Sequence, residues 1–116
     1  MFKTEQEKFW AENFGNEYIQ RNQGAELLAS NLNFFTKALA HAGKLNSCIE
    51  FGANIGMNLK ALKLLYPSIT FKGIEINDQA ALELGNVIGK DNVINSSIFD
   101  FEVNQKSEIS LIKGVL

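Results

Sequence analysis

One stretch constrains the fold more than any other: Asn46 to Leu65, NSCIEFGANIGMNLKALKLL. A short apolar run, Cys48, Ile49 and Phe51, breaks into a glycine-spaced turn, Gly52-Ala53-Asn54-Ile55-Gly56. The turn opens directly into a helical pattern carrying Leu59, Leu62 and Leu65. Strand, glycine turn and helix aim free backbone N–H groups and the positive end of a helix at a ligand. The stretch therefore reads as a ligand-binding βα unit of a parallel α/β sheet.

The remaining chain supplies what such a unit needs. Thr4-Glu5-Gln6-Glu7 has the form of a capping box, with Phe9, Trp10 and Phe14 on one side of a short helix ending near residues 13–15. A polar segment, 16–22, precedes an amphipathic pattern from Gly24 to Ala42, with Gly43 as its stop. Strand 1 is predicted over Ser47 to Phe51, and Pro67 ends the helix after the glycine turn. Strand 2 is predicted over Thr70 to Ile76, then a helix capped by Asp78, a short strand at Asn92 to Asn95, and a last strand from Ile109 to Leu116. Alternating strands and helices predict a parallel sheet with right-handed crossovers, its strands buried on both faces. The pattern divides the chain into a helical segment, 1–43, and an α/β segment, 44–116. The apolar last strand has nothing after it, so a partner chain (a homodimer) or a missing C-terminal half is expected to cover it.

Composition narrows the class. At 46% hydrophobic, 21% charged and net charge −2, the chain is that of a globular domain. Its Lys and Arg residues are scattered, which gives no footprint for nucleic acid. No apolar run approaches the roughly 20 residues a membrane helix needs. A single Cys cannot form an internal disulfide, and a cytoplasmic setting is expected. One His and one Cys build no metal site. Phe9, Trp10, Phe34 and Phe35 are expected in packing, Cys48 as a small buried hydrophobe, and His41 at a helix end.

Spacing then separates two ligand classes. A dinucleotide requires G-x-G-x-x-G, which here reads Gly52, Asn54 and Met57 and fails at two positions. The looser acidic-x-G-x-G-x-G pattern suited to S-adenosylmethionine reads Glu50, Gly52, Asn54 and Gly56. Its one departure is Asn54, and asparagine is the side chain that best tolerates positive φ. An acidic residue at the end of strand 2 should accept the ribose hydroxyls, and Glu75 lies there.

With Glu75, the turn Glu50-Phe51-Gly52-Ala53-Asn54-Ile55-Gly56 resembles the class I S-adenosylmethionine-dependent methyltransferases. TEQEKFWAENFGNEYIQRN, IEFGANIGMNLKAL and LIKGVL resemble more narrowly the methyltransferases associated with pseudaminic acid biosynthesis. The resemblance implies a Rossmann-like sheet of about four strands preceded by N-terminal helices, the front half of such an enzyme. It implies Glu50, Gly52, Ala53, Asn54 and Gly56 around the methionine part of the cofactor, Glu75 on the ribose and Ile76 against adenine. Where many relatives carry an acid for the adenine amino group, this chain has Ser96 and Ser97, then Ile98, with Asp100 further on. Ser97 and Ile98 are the expected adenine contacts. Tyr18 and Arg21 are candidates to close over the site, and Lys113, a cation beside a sulfonium, is disfavoured. The acceptor would be a small molecule or sugar-related compound, and no catalytic base is evident. A non-catalytic or incomplete cofactor-binding fragment, and then a dinucleotide-dependent oxidoreductase, stand as the alternatives.

Overall fold

The computed structural model describes residues 4–11, 24–98 and 107–112. Expectations for Phe14, Tyr18, Arg21, Asp100, Lys113 and residues 114–116 lie outside those residues, as do the side chains of Phe9 and Trp10. The chain runs α1 (Glu5–Ala11), α2 (Ala25–Ala38), β1 (Ser47–Phe51), α3 (Met57–Leu65) and β2 (Thr70–Ile74). It continues through α4 (Asp78–Ile88), a 3-10 turn (Lys90–Asn92), β3 (Val93–Ile94) and β4 (Ile109–Ile112). The four strands form one sheet in the order β3-β2-β1-β4, with every neighbouring pair parallel. The expected α/β architecture is present.

Physical reasons account for the element ends. Thr4 accepts the Glu7 N–H at 3.0 Å, which satisfies one free donor of the first turn of α1. α3 ends at Leu65, two residues before Pro67. α4 is capped by Asn77 rather than Asp78: Asn77 sits in the extended region and its Oδ1 accepts the Ala80 N–H at 2.9 Å. Asp78 is already the first helical residue. The second helix closes at Ala38, short of the expected Ala42, and Gly43 with φ 75° follows in the connection. β2 stops at Ile74 and β3 has only two residues, both shorter than their apolar patterns suggested.

The core lies where α2, α3 and α4 meet the strands, around Phe35, Cys48, Leu59, Leu62, Phe71 and Leu84. Leu59, Leu62 and Leu84 are completely buried, worth about 1.5–3 kcal/mol each. The central strand β1 is buried along its middle as a parallel strand should be. β4 departs from that expectation: its residues alternate between half-buried and exposed, with Ile112 54% exposed. β4 is the outer strand beside β1, so within the described residues its other edge has no neighbour.

One glycine controls how closely α4 approaches the sheet. Gly73, opposite Glu50 in the register, has Leu84 of α4 directly over it. A Cβ there would lie 2.8 Å from Leu84 Cδ2 and 3.1 Å from Ala53 Cβ, and the latter cannot rotate away. Gly73→Ala should therefore cost about 1–3 kcal/mol in urea unfolding. Combined with Leu84→Ala, it should cost less than the sum of the two single changes by about 0.5–3 kcal/mol. Strict additivity would show that the Leu84 contact is not what limits this position.

Candidate functional site

The site grows from the carboxyl ends of β1 and β2, which the glycine turn joins. Gly52 and Asn54 adopt positive φ of 73° and 54°, and Gly56 follows at 87°. Asn54 is the one non-glycine residue with positive φ among the described residues. This winding turns consecutive N–H groups toward β2. Gly52 and Ala53 both donate to the Ile74 carbonyl at 2.9 Å, and Asn54 donates to Glu75 Oε1 at 2.7 Å. Gly56 donates to Ala53 O at 3.0 Å. The expectation that these N–H groups stand free for a ligand is thus corrected: the fold itself uses them. Asn54 must bend backward here because its N–H has a fixed destination.

Glu75 lies just past the end of β2 and is nearly buried, at 8% exposure. Its Oε1 accepts from Asn54 and its Oε2 accepts the Asn77 N–H at 2.9 Å. Each oxygen thus carries at least one backbone donor. Burial pushes the carboxyl above its ordinary 4.5, while the N–H groups of Asn77, Asn54 and Ile76 pull the other way. Glu50, completely buried in β1, accepts from Asn58 Nδ2 of α3 at 2.8 Å through Oε2. Burial, then the charge of Glu50, pushes the nearby Cys48 thiol up to about 12, so Cys48 is an inert small hydrophobe.

Beyond Glu75, the end of β3 forms the far side. Asn95 Nδ2 donates to Glu75 O at 2.8 Å, and the Ser97 hydroxyl, buried, donates to Glu7 Oε2 of α1. Ile76 is half-buried and Ile98 exposed. Asn77 Nδ2 donates to Ala11 O at 2.9 Å, a second link to α1. The structure therefore connects Gly52, Ala53, Asn54 and Glu75 directly, places Glu50 beneath the turn with Asn58, and carries Ser97 on the β3 side. Sequence reasoning missed Asn58, Asn77 and Glu7. Asn58 stands two residues into a predicted helix and Asn77 beside an equally plausible cap. Glu7 was fully explained by local capping, so its long-range contact carried no signal.

No protein-family model matches the chain, and no curated protein sequence matches it. Solved structures do. The plantazolicin methyltransferase BpumL, in complex with a pentazolic desmethylPZN analog and SAH, superposes with TM-score 0.65 at 18% identity, over 91% of this chain and 44% of that one. The sugar N-methyltransferase KedS8 from Streptoalloteichus sp ATCC 53650 superposes at TM-score 0.63 and 15% identity, over 89% and 40%. The mitomycin 7-O-methyltransferase MmcR gives TM-score 0.66 at 17% identity, over 97% and 34%. The shared property is the Rossmann-like fold, and the chain spans less than half the length of each of these three enzymes.

Two measurements test the site's geometry. Asn54→Ala should lose about 1–2 kcal/mol of stability, because alanine resists the left-handed backbone, while Asn54→Gly should lose little. The folded state raises the Glu75 pKa, so folding holds that proton more tightly than the unfolded chain does. Its stabilising contribution is full below 4.5 and is lost as pH rises through the folded value. Urea midpoints of the native protein should therefore fall relative to Glu75→Gln as pH rises above 4.5. A pH-independent difference would contradict the burial of this carboxyl.

Proposed function

We propose that the chain is the cofactor-binding part of an S-adenosylmethionine-dependent methyltransferase, acting on a small-molecule or sugar-related acceptor. The observation that carries this reading is the pairing of an amide-consuming turn with a buried carboxylate beneath it. A dinucleotide pyrophosphate needs backbone N–H donors, and Gly52, Ala53, Asn54 and Gly56 have already given theirs to protein oxygens. It would also bring negative charge toward Glu50, which is unfavourable in a dry site. The ammonium of a methionine moiety has the opposite sign and suits Glu50. The ribose diol suits Glu75, whose two oxygens are held at fixed orientation by Asn54 and Asn77.

In this reading Glu50, Gly52, Ala53, Asn54 and Gly56 enclose the methionine part, Glu75 holds the ribose, and Ile76, Ser97 and Ile98 border the adenine. Asn58 fixes the Glu50 carboxylate, and Asn77 fixes Glu75. When bound, the cofactor supplies an electrophilic sulfonium methyl group, and the protein's task is to position it and the acceptor in line. The resemblance to pseudaminic acid-associated methyltransferases favours nucleotide-sugar or surface-glycan synthesis in the cytoplasm. The fold shared with a sugar N-methyltransferase is in keeping with a sugar-related acceptor.

Calorimetric titration with S-adenosylmethionine, S-adenosylhomocysteine and NAD tests the reading. The first two should bind, and Glu75→Ala should weaken them by at least about tenfold, the loss of a charged hydrogen-bond acceptor. Tight NAD binding would overturn the proposal, and binding of none of the three would mark a non-catalytic fragment.

A further inference from the structure

Resting on the S-adenosylmethionine reading, the geometry points to α1 as a strap whose seating is coupled, through Asn77, to ligand at Glu75. Two chains of hydrogen bonds run from this helix to that residue. The first starts at Ala11, the last residue of α1, whose carbonyl is among those that no helical N–H reaches. Asn77 Nδ2 donates to it at 2.9 Å, and the Asn77 main-chain N–H donates to Glu75 Oε2 at 2.9 Å. The second starts at Glu7, whose carboxylate accepts from the buried Ser97 hydroxyl. In the same connection, Asn95 Nδ2 donates to the Glu75 main-chain carbonyl at 2.8 Å. Two points on α1 thus reach the side chain and the backbone of Glu75 by separate routes.

α1 has 7 residues, below the roughly 12 at which an isolated helix becomes even marginal in water. Its helical form therefore depends on docking, and both ties sit at the ribose end of the site. Asn77 is not free to turn away, because its Oδ1 caps α4 by accepting the Ala80 N–H at 2.9 Å. With α1 seated, both ends of the Asn77 amide are engaged, and its main chain holds the Glu75 carboxylate still. A ribose diol that must order Glu75 then finds that ordering already done, and binds more tightly. Linkage makes the effect reciprocal: bound ligand holds α1 seated by the same factor.

Hydrogen exchange at the α1 amides of the whole chain, with and without saturating S-adenosylhomocysteine, tests the coupling. The Lys8 N–H, which donates to Thr4 O at 3.1 Å, is one reporter. Ligand should slow these amides by about fivefold or more. Asn77→Ser keeps an oxygen to cap α4 and the main-chain donor to Glu75, but removes the Nδ2 tie. It should cut the slowing to less than about twofold at saturating ligand. Glu7→Ala severs the other tie, leaves every proposed ligand contact in place, and should also reduce the slowing. Amides of α1 that ignore bound ligand, or that slow equally in the native protein and both variants, would overturn the coupling. Failure of the native protein to bind S-adenosylhomocysteine in calorimetry would overturn the methyltransferase reading, and the coupling with it, before any exchange is measured.

Discussion

Three consecutive N–H groups, those of Gly52, Ala53 and Asn54, hold the structure around its site together. They run from the turn after β1 to the Ile74 carbonyl and the Glu75 carboxylate at the end of β2. Without them the turn would leave buried donors unsatisfied, each at a cost of about 1–3 kcal/mol. With them, the ends of two adjacent strands and the start of α3 become one rigid body. Positive φ at Gly52, Asn54 and Gly56 is what lets the chain face those donors the same way. The backbone conformation is a consequence of the hydrogen bonding, and the glycine pattern is its sequence record.

That rigidity sets the packing. Gly56, with φ 87°, and Gly73 both lie under Leu84, where an added Cβ would stand 2.7 and 2.8 Å from its methyl groups. One fully buried leucine of α4 therefore presses on the turn and on β2 at once. The N-terminus of α4 is fixed by Asn77, which caps it while binding Glu75 and α1. Helix, turn and carboxylate are consequently positioned by the same few contacts. A change at any of them moves the others.

Legibility in the sequence followed the range of the interaction. β1 and α3 were readable because a strand pattern, a glycine turn and Pro67 are all local signals. The end of α2 was misjudged because the apolar period continues through Leu39, a half-buried residue beyond the helix. The cap of α4 was displaced by one residue because Asn77 and Asp78 are equally good caps in composition, and only backbone geometry separates them. The edge character of β4 depends on sheet order, which periodicity does not encode. Glu7 was invisible for the same reason: its partner lies across the fold, while a capping box explained it locally. Of the site, the glycine turn and both acids were legible, and the asparagines that orient the acids were not.

Those asparagines explain why two carboxylates can sit buried in so small a region. Glu50 has the Asn58 amide and Glu75 has backbone donors, so each carboxyl finds partners within the protein. For Glu75 the donors do not fully offset burial, since its pKa stays above the ordinary value. A site in that condition gains from any further hydrogen-bond donor that binds the charged form. The donors of Asn54 and Asn77 therefore fix the orientation of Glu75 without cancelling the cost of its burial.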